Sequence, residues 1–343
     1  MPISKPIWHL TGTWTRQHSA ERLRRSSHVL SVLGNNAYIF SGEVQPREPV
    51  DDRIDVLPLS PDAAKLATLP LTGAAPTPRV GSASATLNGK MYIFSGRGGT
   101  AMEPVDEAGG VWAFDPEASS WTLLKPAVAE DALPPARSYH CAASDGATTL
   151  FIHAGCPASG RLSDLWKFDI ESRAWKRCAD APGPPRGGTS IAYCGGKMYR
   201  MGGFDGSTEV GGSVDVYDPA VDTWSTETFT ADGHNGPEPR SVCALLPVRI
   251  AQKDKLLTLF GERDPSALGH AGAGKMLGDV WLYDVQERWW TKLEPKGSEG
   301  VPDPRGWFDA DVVKAEEGND RVVVHGGLGE NNERLTDAWV LSF

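Results

Sequence analysis

Glu262, Asp264 and His270 lie on one stretch, GERDPSALGHAGAGK. Two carboxylates and an imidazole make a mixed oxygen and nitrogen donor set. Such a set with open positions suits Fe(II), and also Mn(II) or Zn(II). Glycines 269, 272 and 274 allow the segment to fold back so that His270 faces Glu262. A plainer reading competes, since Asp-Pro-Ser is ordinary turn chemistry and loop histidines are often solvated. The run Gly269 to Lys275 also satisfies G-x-x-x-x-G-K. Met276 follows where a phosphate loop needs Ser or Thr, and the strand-like DVWLYD comes where it needs a helix. No nucleotide cofactor is expected, and no Ser-His-Asp or Cys-His arrangement stands out.

The elements that must position this stretch are short strands. An Arg followed by small or aromatic residues recurs at Arg25, Arg79, Arg137, Arg186, Arg240 and Arg305, at intervals of roughly 56 residues. Each leads through an apolar stretch to a strand ending in small residues: AYIFSG, MYIFSG, LFIHAG, MYRMGG, LTLFG, VVVHGG. After a variable loop comes a third strand (GVWAFD, DLWKFD, SVDVYD, DVWLYD, DAWVLS), then a fourth marked by Trp121, Trp175, Trp224 and Trp289. The first repeat is the most degenerate. The last stops at Phe343 without its Trp strand, whereas LTGTWTRQ with Trp14 supplies one at the other end. A strand around residues 8–17 is therefore expected to complete the sixth blade.

This pattern resembles the kelch repeat over essentially the whole chain. The resemblance implies an all-β, six-bladed β-propeller forming one domain over 1–343, closed because only a ring removes exposed terminal blades. The six repeat Arg side chains are expected to donate hydrogen bonds between blades, and His28 and His140, each three residues after such an Arg, to be structural. Trp307 and Phe308 replace small residues at equivalent repeat positions, Gly81 and Gly188. They are candidates to wall a pocket, with inter-blade packing as the competing role. The loops after each second strand should share one mouth, and the fifth, 262–279, is the longest.

Within the kelch repeats the chain resembles the plant specifier proteins of glucosinolate breakdown. That family carries an iron motif, Glu-x-x-x-Asp-x-x-x-His, in the corresponding loop. Glu262 and His270 match its outer members, while Ser266 stands at the middle position and the available carboxylate is Asp264. Arg97, after Ser95-Gly96, and Arg161, in SGRLSDLW, resemble two arginines that hold the substrate's sulfate in the family; a planar guanidinium fork suits an oxyanion. Pairing of Arg161 with Asp164 is the alternative. The resemblance implies an Fe(II)-dependent lyase or isomerase acting on a small anionic molecule, such as a thiohydroximate O-sulfate going to nitrile or thiocyanate.

Two other functions compete: an isomerase or cyclase of specialised metabolism without a metal, and a kelch module that binds protein through acidic loops (Glu103, Asp106, Glu107, Glu330, Glu333). Repeats that run from Arg25 to Phe343 are expected to come without an adaptor domain, an expectation that favours the small-molecule readings. The net charge of −10 argues against nucleic acid or an anionic membrane as partner. No apolar run reaches the roughly 18 residues of a membrane span, and no signal-peptide core opens the chain. Cys141, Cys156, Cys178, Cys194 and Cys243 form an odd set without C-x-x-C, so a reducing, cytoplasmic setting is expected.

Overall fold

The computed structural model describes residues 10–60, 65–70, 72–128 and 132–343, and the His270 side chain lies outside that description. Six four-stranded antiparallel sheets follow one another as blades. Blade one is Val29–Leu33, Asn36–Phe40, Ile54–Pro58 and Ala67–Leu69. Blade six is Asp309–Val313, Arg321–His325, Asp337–Ser342 and then Thr13–Ser19 from the other end of the chain. Thr13 pairs with Ser342 and Ser19 with Asp337. The closing strand is thus present as expected, shifted to 13–19, and residues 8–9 lie outside the described part. No helix among the described residues is long and apolar enough to cross a membrane.

The core lies between blades. Six apolar clusters each straddle one blade–blade boundary, including the boundary between blades six and one, where Leu30 and Ile39 meet Val323 and Val340. Because each strand alternates its faces, every blade gives one face to each neighbour. Fourth-strand tryptophans fill these seams: Trp14, Trp121, Trp175 and Trp290 are each at most 6% exposed. The repeat tryptophan of blade five is Trp290, opposite Tyr283, and not Trp289, which pairs with Asp284. A one-residue offset in a strand moves a side chain to the opposite face, and the adjacent pair hid which was which.

Two rings of main-chain hydrogen bonds run around the axis. In the first, a Gly after each second strand donates to the carbonyl of the next repeat Arg, from Gly42→Arg79 at 3.1 Å round to Gly327→Arg25 at 2.9 Å. In the second, Ser27→Trp307, Gly81→Ser27, Tyr139→Gly81, Gly188→Tyr139, Val242→Gly188 and Trp307→Val242 form a closed circle at 2.6–3.2 Å. All six residues of this circle have positive φ, so Val242 (46°) and Trp307 (59°) hold a conformation that disfavours them and that the ring over-determines.

The repeat Arg side chains work differently from expectation. Their guanidiniums bond within their own blade: Arg137 to Ala154 O and to Asp164, Arg305 to Gly326 O and to Asp337. The inter-blade bond comes from the Arg carbonyl. His28 and His140 are buried as expected, His28 bonding His325 at 2.9 Å and His140 standing edge-on to Phe94.

Candidate functional site at the propeller mouth

Positive φ along the axial circle aims Tyr139 and Trp307 into the mouth. Their rings meet edge to face at 5.2 Å. Tyr139 lies across Gly81, where an added Cβ would come within 2.7 Å of its ring. Below them an axial cavity of about 260 Å³ is walled by the innermost strands, with Phe308, Asp309 and Asp311 on one side. Phe308 also packs edge-on against Phe260 at 5.4 Å, so it serves both as cavity wall and as inter-blade filler. Tyr139 was missed from sequence, although it occupies the repeat column in which Trp307 was noticed.

Burial pushes the Asp309 carboxyl up to about 7 and that of Asp311 to about 6. Each accepts a main-chain N–H from blade one, Leu30 at 2.6 Å and Val32 at 2.7 Å. They tie together the innermost strands of the blades that close the ring.

The fifth loop leaves its sheet at Glu262–Arg263 and returns at Lys275–Met276, a two-residue ladder. Glu262 is buried, and its oxygens accept from Gly274 N at 2.6 Å and from Trp307 Nε1 at 3.2 Å. Burial raises its pKa, against the opposing effect of those two donors. Asp264, at positive φ, has an exposed carboxylate that faces Arg263 at 3.7 Å and Lys275 at 3.6 Å. His270 falls in the short 3₁₀ turn Gly269–Ala271. Among the described residues no group of three His, Cys, Asp or Glu side chains could hold a metal ion.

Glu209, in the blade-four loop, adds a carboxylate that the sequence reading passed over. Burial raises its pKa, and the charges of Glu262 and Asp264 add to the rise. Its Oε1 is enclosed without a hydrogen-bond partner. Two carboxylates pushed toward protonation, one with an orphaned oxygen, offer a divalent cation two oxygen donors and a charge to neutralise. The only advance signal was an acidic residue in a loop of the same face.

Arg97 and Arg161 come from neighbouring loops and act on a common neighbour. Burial raises the Cys156 thiol pKa, and Arg161 and then Arg97 oppose that rise. Arg97 donates weakly to Pro157 O at 3.5 Å and keeps an enclosed, unpaired Nε. With Tyr139, Arg47 and Glu43 it lines a cavity of about 220 Å³, where Glu43 is already held by Arg334 at 3.0 Å. Arg161 stacks over Phe204 at 5.0 Å and also keeps an unpaired Nε. It does not brace Asp164, whose two oxygens are taken by Arg137 and Trp166. In the acidic rim, Glu103, Asp106, Glu330 and Glu333 are exposed. Glu107 is not part of it, being the ion-pair partner of Arg79 at 3.0 Å.

The chain matches a family model described as the KLHDC2/KLHL20/DRC7 kelch-repeats domain, over residues 27–245 and 111–327. It is 28% identical over 340 residues to N-(sulfonatooxy)prop-2-enimidothioate sulfolyase of Thlaspi arvense, covering 92% of this chain and 91% of that one. It is also 28% identical over 284 residues to Host cell factor 2 of Homo sapiens, covering 76% of this chain and 32% of that protein. A leucine-zipper-like transcriptional regulator 1 homologue of Drosophila melanogaster is 22% identical over 347 residues, which is 97% of this chain and 33% of that protein.

Proposed function

The chain belongs to the kelch-repeat family, and from that membership and its near full-length similarity to a sulfolyase we propose that it is a lyase acting on a small O-sulfated thioimidate at the propeller mouth. The observation that carries this reading is the pair Arg97 and Arg161, which form no ion pair among the described residues, each keep an enclosed Nε without an acceptor and both act on the Cys156 thiol. Breaking an N–O bond sends the bonding electron pair out with sulfate, so negative charge grows on the leaving group. Guanidiniums already in place stabilise that charge without reorganising, which is where electrostatic catalysis is strongest. Tyr139 and Trp307 wall the substrate's apolar side and limit water.

Glu262, Glu209 and the loop imidazole of His270 are the residues that would hold a divalent metal, Fe(II) by the donor set, with Asp264 turned toward Arg263 and Lys275. Such an ion would act as a Lewis acid for a sulfur ligand. The test is product analysis. The thioimidate sulfate is generated in place by a thioglucosidase, with and without the anaerobically purified protein. Diversion from isothiocyanate to nitrile or thiocyanate is expected, together with a loss on the order of 10²-fold in Arg97→Met or Arg161→Met. A product distribution equal to that without protein would overturn the proposal.

A further inference from the structure

In five blades the buried repeat arginine ends on a carboxylate. Arg25 meets Asp55 at 2.5 Å, Arg79 meets Glu107 at 3.0 Å, Arg137 meets Asp164 at 2.6 Å, and Arg240 and Arg305 meet Asp279 and Asp337 at 2.7 Å each. Blade four departs from the rule. Arg186 is 3% exposed, yet it donates only to two carbonyls, Pro184 O at 3.2 Å and Gly202 O at 3.1 Å. It forms no ion pair among the described residues.

Two substitutions account for the loss. Asp164, Asp279 and Asp337 each stand two residues before the third-strand tryptophan that donates to them; Ser213 holds the corresponding place in blade four. Asp215 corresponds to Asp55 of blade one, and in both a threonine hydroxyl fixes one carboxylate oxygen. Asp55 is free to serve Arg25 because Ile39 stands opposite it in the ladder. Opposite Asp215 stands Arg200, whose Nε and Nη2 take its other oxygen at 3.0 and 2.6 Å. The carboxylate that would have served Arg186 is therefore diverted.

What remains is a buried cation without its anion. Burial, reinforced by the nearby charge of Arg200, lowers the Arg186 pKa to about 10. Its Nη2 has no acceptor among the described residues and is not enclosed. Gly183 flanks it with no side chain, and a Cβ there would sit 2.9 Å from Nη2. Asp205, whose charge also acts on Arg186, turns its carboxylate to the Ser207 and Thr208 N–H groups of its own loop.

We propose that Arg186 is a docking point for a carboxylate supplied from outside the chain. The bound group would take Nη1 and Nη2 in the two-pronged arrangement that Asp164 makes with Arg137 at 2.6 and 2.8 Å. Ser213 stands where three other blades place an aspartate, so the ligand supplies the single carboxylate that this position lacks. Because the template carboxylates close the connections between second and third strands, the site opens on the mouth face, beside Phe204 of the blade-four loop, over which Arg161 of the blade-three loop stacks.

Acetate is the probe, exchanged for chloride at constant ionic strength, with thermal unfolding and calorimetric titration as readouts. The native chain should show a saturable rise of roughly 2–4 °C. Ser213→Asp, which restores the missing carboxylate, should abolish the response, and so should Arg200→Ile, which frees Asp215 to turn to Arg186. The two variants act by different routes, so failure of one to fold leaves the other decisive. An equal acetate response in the native chain and both variants, or none in the native chain, would overturn the proposal. A capped peptide with one Asp, run against its Asn counterpart, separates the sources. Competition with acetate identifies a protein side chain, and acetate binding without competition identifies a free small acid.

Discussion

The indole N–H of Trp307 donates to Oε2 of Glu262 at 3.2 Å, joining the axial circle of blade six to the long loop of blade five. The bond gives an enclosed carboxylate one of its two donors. Trp307→Phe keeps the ring and removes the donor, leaving a buried acceptor unsatisfied. A loss of about 1–3 kcal/mol is expected by urea unfolding. A change below a few tenths of a kcal/mol would mean that the oxygen is satisfied otherwise.

The charge of Glu262 opposes ionisation of Glu209, so the metal-free protein carries a like-charge penalty at the mouth. Anaerobic loading with Fe(II) should raise the unfolding midpoint, and chelation should reverse it. Glu209→Gln should raise the midpoint of the metal-free chain and eliminate the Fe(II) response. Retained uptake at one equivalent in that variant would exclude Glu209 as a ligand.

Burial in the folded chain pushes the Asp309 and Asp311 carboxyls up to about 7 and about 6, above their ordinary 3.8. Between those values the native state binds more protons than the unfolded chain, so their contribution to stability is present at low pH and lost as pH rises through 6 and 7. Asparagine at both positions still accepts the Leu30 and Val32 N–H groups and cannot ionise. The midpoint of the double variant minus that of the native chain should therefore increase from pH 5 to pH 8. A pH-independent difference would show that water in the axial cavity relieves the burial.

Trp290 fills the seam between blades four and five and is 2% exposed, while its neighbour Trp289 lines a separate cavity of about 130 Å³. Trp290→Ala should cost about 3–5 kcal/mol and Trp289→Ala distinctly less. Equal losses would remove the assignment of Trp290 to the repeat.

Trp14 stacks on Phe260 at 6.0 Å and is 3% exposed, although it lies on the strand farthest in sequence from its sheet. Trp14→Ala should loosen ring closure, with a loss of about 3–5 kcal/mol and faster proteolysis near residue 19. Unaltered cleavage kinetics would show that the closing strand is held by its ladder alone.

The amino-acid order by itself determined the ring. Six recurring arginines, six strands ending in small residues and a tryptophan strand displaced to the N-terminus specify six blades and their closure, because local pairing and alternation repeat the same unit. It also marked Arg97, Arg161, Glu262 and Trp307 as residues of one face. Which of them converge is a matter of distances between blades, and no spacing along the chain encodes those. Tertiary structure alone put Trp307 on Glu262, turned the Asp264 carboxylate toward Arg263 and Lys275, and brought Glu209 from another blade. It also showed that Asp215 serves Arg200 and leaves Arg186 without a counter-ion. An ion pair is decided by competition between neighbours in space, so the sequence of SVDVYD shows that Ser213 replaces an aspartate but not that Asp215 goes to Arg200, leaving Arg186 without an ion pair among the described residues.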